Sequence, residues 1–511
     1  MTQANVVAFL KSGAAFTAAA PVEVVETHGA YVFLCGDEAL KLKREVRYDY
    51  MDLSTPERRH AMLLRELALN SATAPEIYRD VLPITSFAGT ALSLDGLGEP
   101  VDWVLRMHRF PAEDELERIA ERGALDERLA TAIGSAIACL HRTAPVSKHD
   151  GAVLIRDILA ELRRVFSEFE AAPGTERLAE WTVAANAAFL EQQDLLRQRG
   201  HTGHVRRGHG DLHLRNMVLI DQRPVPFDAL EFDETLGTCD ILYDLSFMIM
   251  DLIHRDLRPQ ACRTLDAWLR DFRGTEDAGL AALPLFISLR AAIRAMVLLQ
   301  SDKVQQHRAA PAQEVRAYLD LSCDALKAVP ARLVAVGGYS GSGKTVVARA
   351  LAPAIGVMPG AVMLSSDLER KACQSTEAHL DARTYTADQR AAVYAGMLDR
   401  ATVALDAGHS AILDATFADV MMRAAAEDVA RRANVPFSGI WLSATHDLLA
   451  SRILNRRGDA SDADVTVLDR QIARGAGEIS WTVIDASGSE AEVVDQGRKA
   501  LTRAQLASPS D

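Results

Sequence analysis

No two cysteines in this chain are spaced to share a metal, and no C-x-x-C pair occurs. The six cysteines (Cys35, Cys139, Cys239, Cys262, Cys323, Cys373) are scattered over 511 residues. That excludes a dense disulfide framework or a zinc knuckle and points to a reducing, cytoplasmic compartment. Basic charge is also short: the formal net charge is −14, which disfavours nucleic acid as the main partner. The opening MTQANVVAFLKSGAAF has no basic stretch ahead of its apolar residues and reads as a short amphipathic helix, not a signal sequence. Even LVAVGGYSGSGKTVVARALAPAIGV is interrupted by glycines and a lysine, so no run is expected to cross a bilayer. No internal repeat is visible. What the chain does have is 49% apolar residues, enough for ordinary cores, and room for two or three domains.

Three patterns follow one another. Up to about residue 107, short β-like runs (AYVFLCG, ALKLKR, VDWVLRMHRF) surround one helical stretch, PERRHAMLLRELALNSA. From about 108 to 328, apolar residues recur at helical spacing, interrupted by the strand-like MVLIDQRPVPFDAL. After Pro330 the runs LVAVGG, AVMLSSD, SAILDAT, FSGIWLS and WTVIDAS alternate with helical ones, the sign of a parallel sheet wrapped by helices. The expectation is an α+β two-lobed domain over 1–328, then an α/β domain over 329–511 with helices on both faces of its sheet.

In the expected α/β domain over 329–511, Gly338-Tyr-Ser340-Gly341-Ser342-Gly343-Lys344-Thr345 fits G-x-x-x-x-G-K-S/T between a strand and a helix. Its glycines let backbone N–H groups curl round phosphates, where the helix N-terminus adds positive potential. Lys344 would reach the β- and γ-phosphates of ATP, and the Thr345 hydroxyl would ligate Mg²⁺. Asp367 and Asp414 close the next two β-runs, where a parallel sheet opens its ligand crevice. One carboxylate suits a base for an acceptor hydroxyl, the other the surroundings of Mg²⁺. Arg370 follows Asp367 by three positions, and Arg452 and Arg456 share a helix face from which they could neutralise a phosphoryl group in flight.

On G-Y-S-G-S-G-K-T, S-S-D-L-E-R, L-D-A-T-F and the paired arginines, residues 331–490 resemble the small P-loop kinases that include gluconate kinase, the zeta toxins and polynucleotide kinase. The resemblance implies Asp367 as the substrate-side base with Arg370 beside the substrate. No arginine finger of motor ATPases and no glutamate next to Asp414 is evident, which disfavours motor activity.

In the first region, His209-Gly-Asp211-Leu-His-Leu-Arg-Asn216 sets an Asp five residues before an Asn, with Phe227-Asp228 further on. Asp211 suits a proton acceptor, and Asn216 and Asp228 suit metal ligands. Lys43 in ALKLKR is the candidate phosphate lysine, with Lys41 on the same strand face as an alternative, and Glu66 is its natural ion-pair partner. Over about 22–300 this order resembles the aminoglycoside phosphotransferase and choline kinase group, in which Asp244 would match a later structural aspartate. No G-x-G-x-x-G loop precedes Lys43, Arg215 stands close to the metal candidates, and FDALEFDE places Glu231 and Asp233 where the antibiotic kinases carry other residues. The expected function is a two-domain phosphotransferase using ATP and Mg²⁺, each half acting on a hydroxyl of a small polar metabolite. One half could instead be a nucleotide-sensing module, or the P-loop half a nucleic-acid 5′-hydroxyl kinase.

Overall fold

The computed structural model describes residues 2–48, 51–87, 91–169, 172, 174–304, 312–374, 387–455 and 464–507. The chain forms two compact units, Met1–Gly151 with Arg199–Met248, and Ala152–Gln198 with Ile249–Asp511.

The first unit is built on a six-stranded antiparallel sheet, in the order Glu23–Glu26, Ala30–Cys35, Glu38–Lys43, Glu99–His108, Tyr78–Phe87, Ala91–Leu94. Cys35 pairs with Glu38 across a two-residue turn in which Gly36 takes φ +56, a conformation that other residues adopt only with strain. One face of the sheet buries Phe33, Leu40, Leu42, Ile84 and Val104 under Val6 and Leu10 of the helix Gln3–Lys11. The opposite face carries the helix Pro56–Asn70, which starts with Pro56 behind a Thr55 cap accepting from Arg58 N. That helix is fixed by a buried two-pronged ion pair: Arg59 Nε to Asp102 Oδ1 at 3.0 Å and Nη2 to Oδ2 at 2.8 Å. Asp102 belongs to the strand Glu99–His108, so helix and sheet hold a set relation and Glu66 faces Lys41.

The strand-like interruption is a hairpin, Met217–Ile220 with Arg223–Pro226, turning on Asp221 and Gln222, both at positive φ. A short ladder of Val205–Arg207 with Thr238–Asp240 lies nearby in sequence; its three-residue strands are too short to leave a periodic signal.

In the second unit, all five expected β-runs form one parallel sheet, ordered Val362–Ser365, Ala411–Asp414, Leu333–Gly338, Phe437–Ser443, Thr482–Asp485. Its central strand is buried at every position and reads as an unbroken apolar run. A core of Val347, Leu351, Ile412, Ile440, Ile484 and Val494 packs helices Lys344–Leu351 and Glu490–Ala507 against the sheet. The fold is thus an antiparallel kinase-like lobe with a helical lobe, followed by a five-stranded parallel α/β P-loop domain.

The expectation that no segment is long and apolar enough for a bilayer is corrected at one place. Asp277–Gln300 has that length and composition, and 67% of its apolar window is buried inside the protein. It is a core helix, and Trp181 Nε1 bonds to Ser288 Oγ on it at 3.0 Å. The helical period hid its hydropathy because Arg290 and Arg294 divide the run.

Candidate functional site

The loop after Arg207 is fixed by one fully buried carboxylate. Asp244 accepts the backbone N–H of His209 at 2.7 Å and of Gly210 at 2.9 Å, and lies 3.2 Å from His141 Nε2. A Cβ on Gly208 would come within 2.5 Å of that carboxylate, so glycine is required there. Gly210 turns the chain at φ +84 and Asp211 follows. Asn216 Nδ2 donates to Asp211 Oδ2 and to Asp211 O, both at 2.9 Å, and its backbone carbonyl accepts Phe227 N–H at 3.0 Å. With Nδ2 committed to Asp211, the amide oxygen is left as this side chain's acceptor. His209 Nε2 lies 2.9 Å from Phe227 O. Asp211, Asn216 and Asp228 therefore belong to one hydrogen-bonded assembly.

Asp228 takes φ +60, uncommon outside glycine, with its N–H on the Tyr78 hydroxyl at 2.9 Å. Its Oδ1 meets Lys41 Nζ at 2.7 Å, and Lys41 also meets Glu66 Oε1 at 2.6 Å. Lys43, the lysine favoured by sequence, also meets Glu66, its Nζ 2.6 Å from Oε2, and its second partner is Glu231 Oε1 at 2.5 Å, where that of Lys41 is Asp228. Burial alone would pull the Lys41 ammonium down, but Asp228 and Glu66 lift its pKa well above the ordinary lysine value. Enclosure works against an ionised Asp228, yet Lys41 beside it and Lys43 behind hold its carboxyl below the ordinary range. These paired charges form one array, with carboxylate and amide oxygens of the kind Mg²⁺ takes beside phosphate.

In the second unit, the glycine loop leaves its strand at Gly338 (φ +142), where a Cβ would approach Leu442 O to 2.6 Å. Gly341 at φ +85 would collide with Leu449 O at the same 2.6 Å. Gly343, at φ +89, opens the helix Lys344–Leu351. The buried Ser342 Oγ has no hydrogen-bond partner among the described residues. An unmet donor, left-handed glycines and a helix N-terminus together form a cradle that fits phosphate. Lys344 Nζ donates to Tyr339 O at 3.0 Å.

Thr345 Oγ1 donates to Asp414 Oδ2 at 2.7 Å, and Asp414 stands opposite Val336 and Ser365 in the two flanking strands. Burial raises the Asp414 carboxyl above the ordinary range; Lys344 and Thr345 act against that rise and Asp367 adds to it. Asp367 does not end its strand: the strand stops at Ser365, and Asp367 sits in the first turn of Ser366–Gln374, paired with Arg370 Nη2 at 3.3 Å. Ser and Asp favour helix starts, which shortened the β-run. Arg452 closes the helix His446–Leu454 and donates to Gly488 O at 3.4 Å, while Arg456 lies outside the described residues.

The sequence reading passed over Gln471. Its Oε1 accepts Ser340 N–H at 2.9 Å and its Nε2 donates to Ser340 Oγ at 3.0 Å, so a side chain of the helix Val465–Arg474 holds a P-loop amide. No local pattern marks it, because the two residues are 131 apart.

Residues 333–476 match the family model described as AAA domain. Over 491 residues the chain is 29% identical to an uncharacterized protein of Mycobacterium tuberculosis, covering 93% of this chain and 94% of that protein. Among solved structures it is similar to a choline/ethanolamine kinase family protein from Mesorhizobium loti, at 16% identity and a TM-score of 0.39, over 65% of this chain and 96% of that one. It is also similar to a gluconokinase from Sinorhizobium meliloti, at 21% identity and a TM-score of 0.27, over 35% of this chain and 97% of that one.

Proposed function

We propose that this protein is a two-domain, ATP- and Mg²⁺-dependent kinase, residues 1–328 and 329–511 each transferring a phosphoryl group to a hydroxyl of a small polar metabolite. The observation that carries the reading is the bridge from Lys41 to both Glu66 and Asp228, which draws together residues 187 apart in sequence. It supports Lys41, in place of Lys43, as the phosphate lysine. In the first half, Asp211 takes the proton of the acceptor hydroxyl as its oxygen bonds to the γ-phosphorus and the bond to the β-phosphate oxygen breaks, releasing ADP. Asn216 and Asp228 supply the metal ligands; bound Mg²⁺ would neutralise charge on the phosphate oxygens.

In the second half, the backbone of 338–345 and Lys344 would grip the phosphates, and Thr345 and Asp414 are the residues that would hold Mg²⁺. Asp367 serves as base and Arg370 orients the acceptor, and Arg452 would neutralise charge on the phosphoryl group. Free thiols at all five described cysteines fit a reducing cytoplasm.

The test is ADP formation with a library of sugars, amino alcohols and nucleosides, using full-length wild type, Asp211→Asn and Lys344→Ala. The reading requires acceptor-dependent turnover that divides between the two variants, one acceptor lost with each. Turnover abolished by only one variant, for every acceptor, makes the other half regulatory. An acceptor that is a nucleic-acid 5′ end would move the P-loop half to the polynucleotide kinase class.

A further inference from the structure

Two lysines, not one, reach the buried Glu66. Lys41 and Lys43 alternate on the strand Glu38–Lys43 and so share a face. Lys41 donates to Glu66 Oε1 at 2.6 Å, and Lys43 Nζ stands in ion-pair contact 2.6 Å from Oε2. Their remaining partners differ in kind. Lys41 goes on to Asp228, a carboxylate that a metal–nucleotide complex would engage. Lys43 goes on to Glu231, three residues further along the chain, and both are buried.

We infer that Lys43 and Glu231 form a positioning pair, which fixes Glu66 so that Glu66 can present Lys41 to phosphate. This rests on the reading of Lys41 as the phosphate lysine. The surrounding bonds have the same sense. Asn70, one turn beyond Glu66, donates Nδ2 to Glu66 O at 2.9 Å and accepts Ala229 N–H on Oδ1 at 2.9 Å. The helix of Glu66 and the segment 228–231 are therefore joined three times, through Asn70, through Lys41 and through Lys43, and of the two lysines Lys43 is the one whose link does not run through Asp228. Gln3 Nε2 holds the Lys43 carbonyl at 2.9 Å from the other side of the strand end.

The charges give the pair its purpose. Two ammonium groups meet three carboxylates: Glu66, Asp228 and Glu231. When Asp228 turns to metal and Lys41 to phosphate, Glu66 keeps a cation on each oxygen only if Lys43 is there. Without Lys43, the Glu66 and Glu231 carboxylates would face each other unscreened in a buried site, and Glu66 would swing toward the single remaining lysine.

A buried pair that is merely structural behaves differently from one that positions a ligand contact. Replacing both members of a structural pair by apolar groups usually restores stability, whereas removing one does not. The experiment uses the full chain carrying Lys344→Ala, which removes the phosphate lysine of the P-loop half, with calorimetric titration of Mg-AMP-PNP and thermal unfolding as readouts. Lys43→Met and Glu231→Gln alone should lower Tm and weaken binding. The double variant Lys43→Met/Glu231→Leu should recover most of the Tm yet still bind roughly tenfold more weakly, the scale of one misplaced charge-assisted contact. Native Tm with native affinity in the double variant, while Lys41→Met binds weakly, overturns this inference and leaves the phosphate-lysine reading standing. Unchanged affinity in Lys41→Met overturns both.

Discussion

Thr345 Oγ1 donates to Asp414 Oδ2 across 2.7 Å, joining the first turn of the P-loop helix to the end of the adjacent strand. The hydroxyls of Thr345 and Ser365 and the nearby Lys344 all favour the ionised carboxylate, and burial still raises Asp414 above the ordinary carboxyl range. Asp367 stands differently. It is half exposed, in the first turn of a helix, with Arg370 as its partner. The two carboxylates therefore suit different tasks, the buried one for the metal and the exposed one for the acceptor.

That division predicts opposite phenotypes. Asp367→Asn should keep Mg-ATP affinity and lose on the order of 10² to 10⁴ in turnover with the true acceptor, the usual cost of removing a positioned base. Asp414→Asn should weaken binding of Mg-ATP more than that of metal-free ATP. Calorimetry with and without Mg²⁺, paired with steady-state rates, separates the cases. A collapse of ATP affinity in Asp367→Asn would reverse the two assignments.

Asp244 should matter to stability through hydrogen bonds, not charge. Asp244→Ala strips acceptors from the His209 and Gly210 N–H groups, and each unmet buried donor costs about 1–3 kcal/mol. Asp244→Asn keeps one acceptor oxygen and should be milder. Urea unfolding of both variants measures the order; equal losses would show that the loop takes its anchorage elsewhere.

Gln471 holds an amide that the phosphates of a bound nucleotide would compete for. Gln471→Leu should therefore tighten nucleotide binding at the P-loop, by about two- to tenfold for one hydrogen bond no longer to be displaced. Stopped-flow binding of a fluorescent ATP analogue in a Lys41→Met background, which weakens the nucleotide site of the first half, reads it. Weaker binding would make Gln471 a nucleotide contact in its own right.

What could be read from sequence divides along a physical line. The parallel sheet was legible because its central strands are buried on both faces and appear as unbroken apolar runs, as at Leu333–Gly338. Asp211 and Asn216 were legible because their geometry is local, five residues apart. The preference for Lys43 over Lys41 had no physical ground in the sequence, since alternation puts both on one strand face and only the distant Asp228 and Glu231 give them different partners. The pairs Arg59–Asp102, Ser340–Gln471 and Asp277–Arg400 left no local signal at all, being contacts between residues far apart in the chain.

His409 provides a pH test of the P-loop half. It lies two residues before the strand Ala411–Asp414 and is fully buried; among the described residues no hydrogen bond of good geometry reaches either ring nitrogen, and the backbone of Met358 and Ser410 offers only partial compensation. Burial pushes its pKa down from 6.5 to about 4, because a protonated imidazole there would be an unsolvated charge. The sign follows from proton counting. Between pH 6.5 and about 4 the unfolded chain binds a proton at this position that the folded protein does not, so acid favours unfolding. The stabilisation is fully present above pH 6.5 and is lost as pH falls through the folded pKa. By about pH 5 the loss from this group alone amounts to roughly 2 kcal/mol relative to about pH 7.5. Urea unfolding of wild type and His409→Phe at these two pH values isolates it, since all carboxylates titrate alike in both proteins. His409→Phe should show the shallower pH dependence by that margin, whatever its absolute stability. Identical pH dependence in the two proteins would mean that the imidazole finds a proton acceptor, or water, in the folded state.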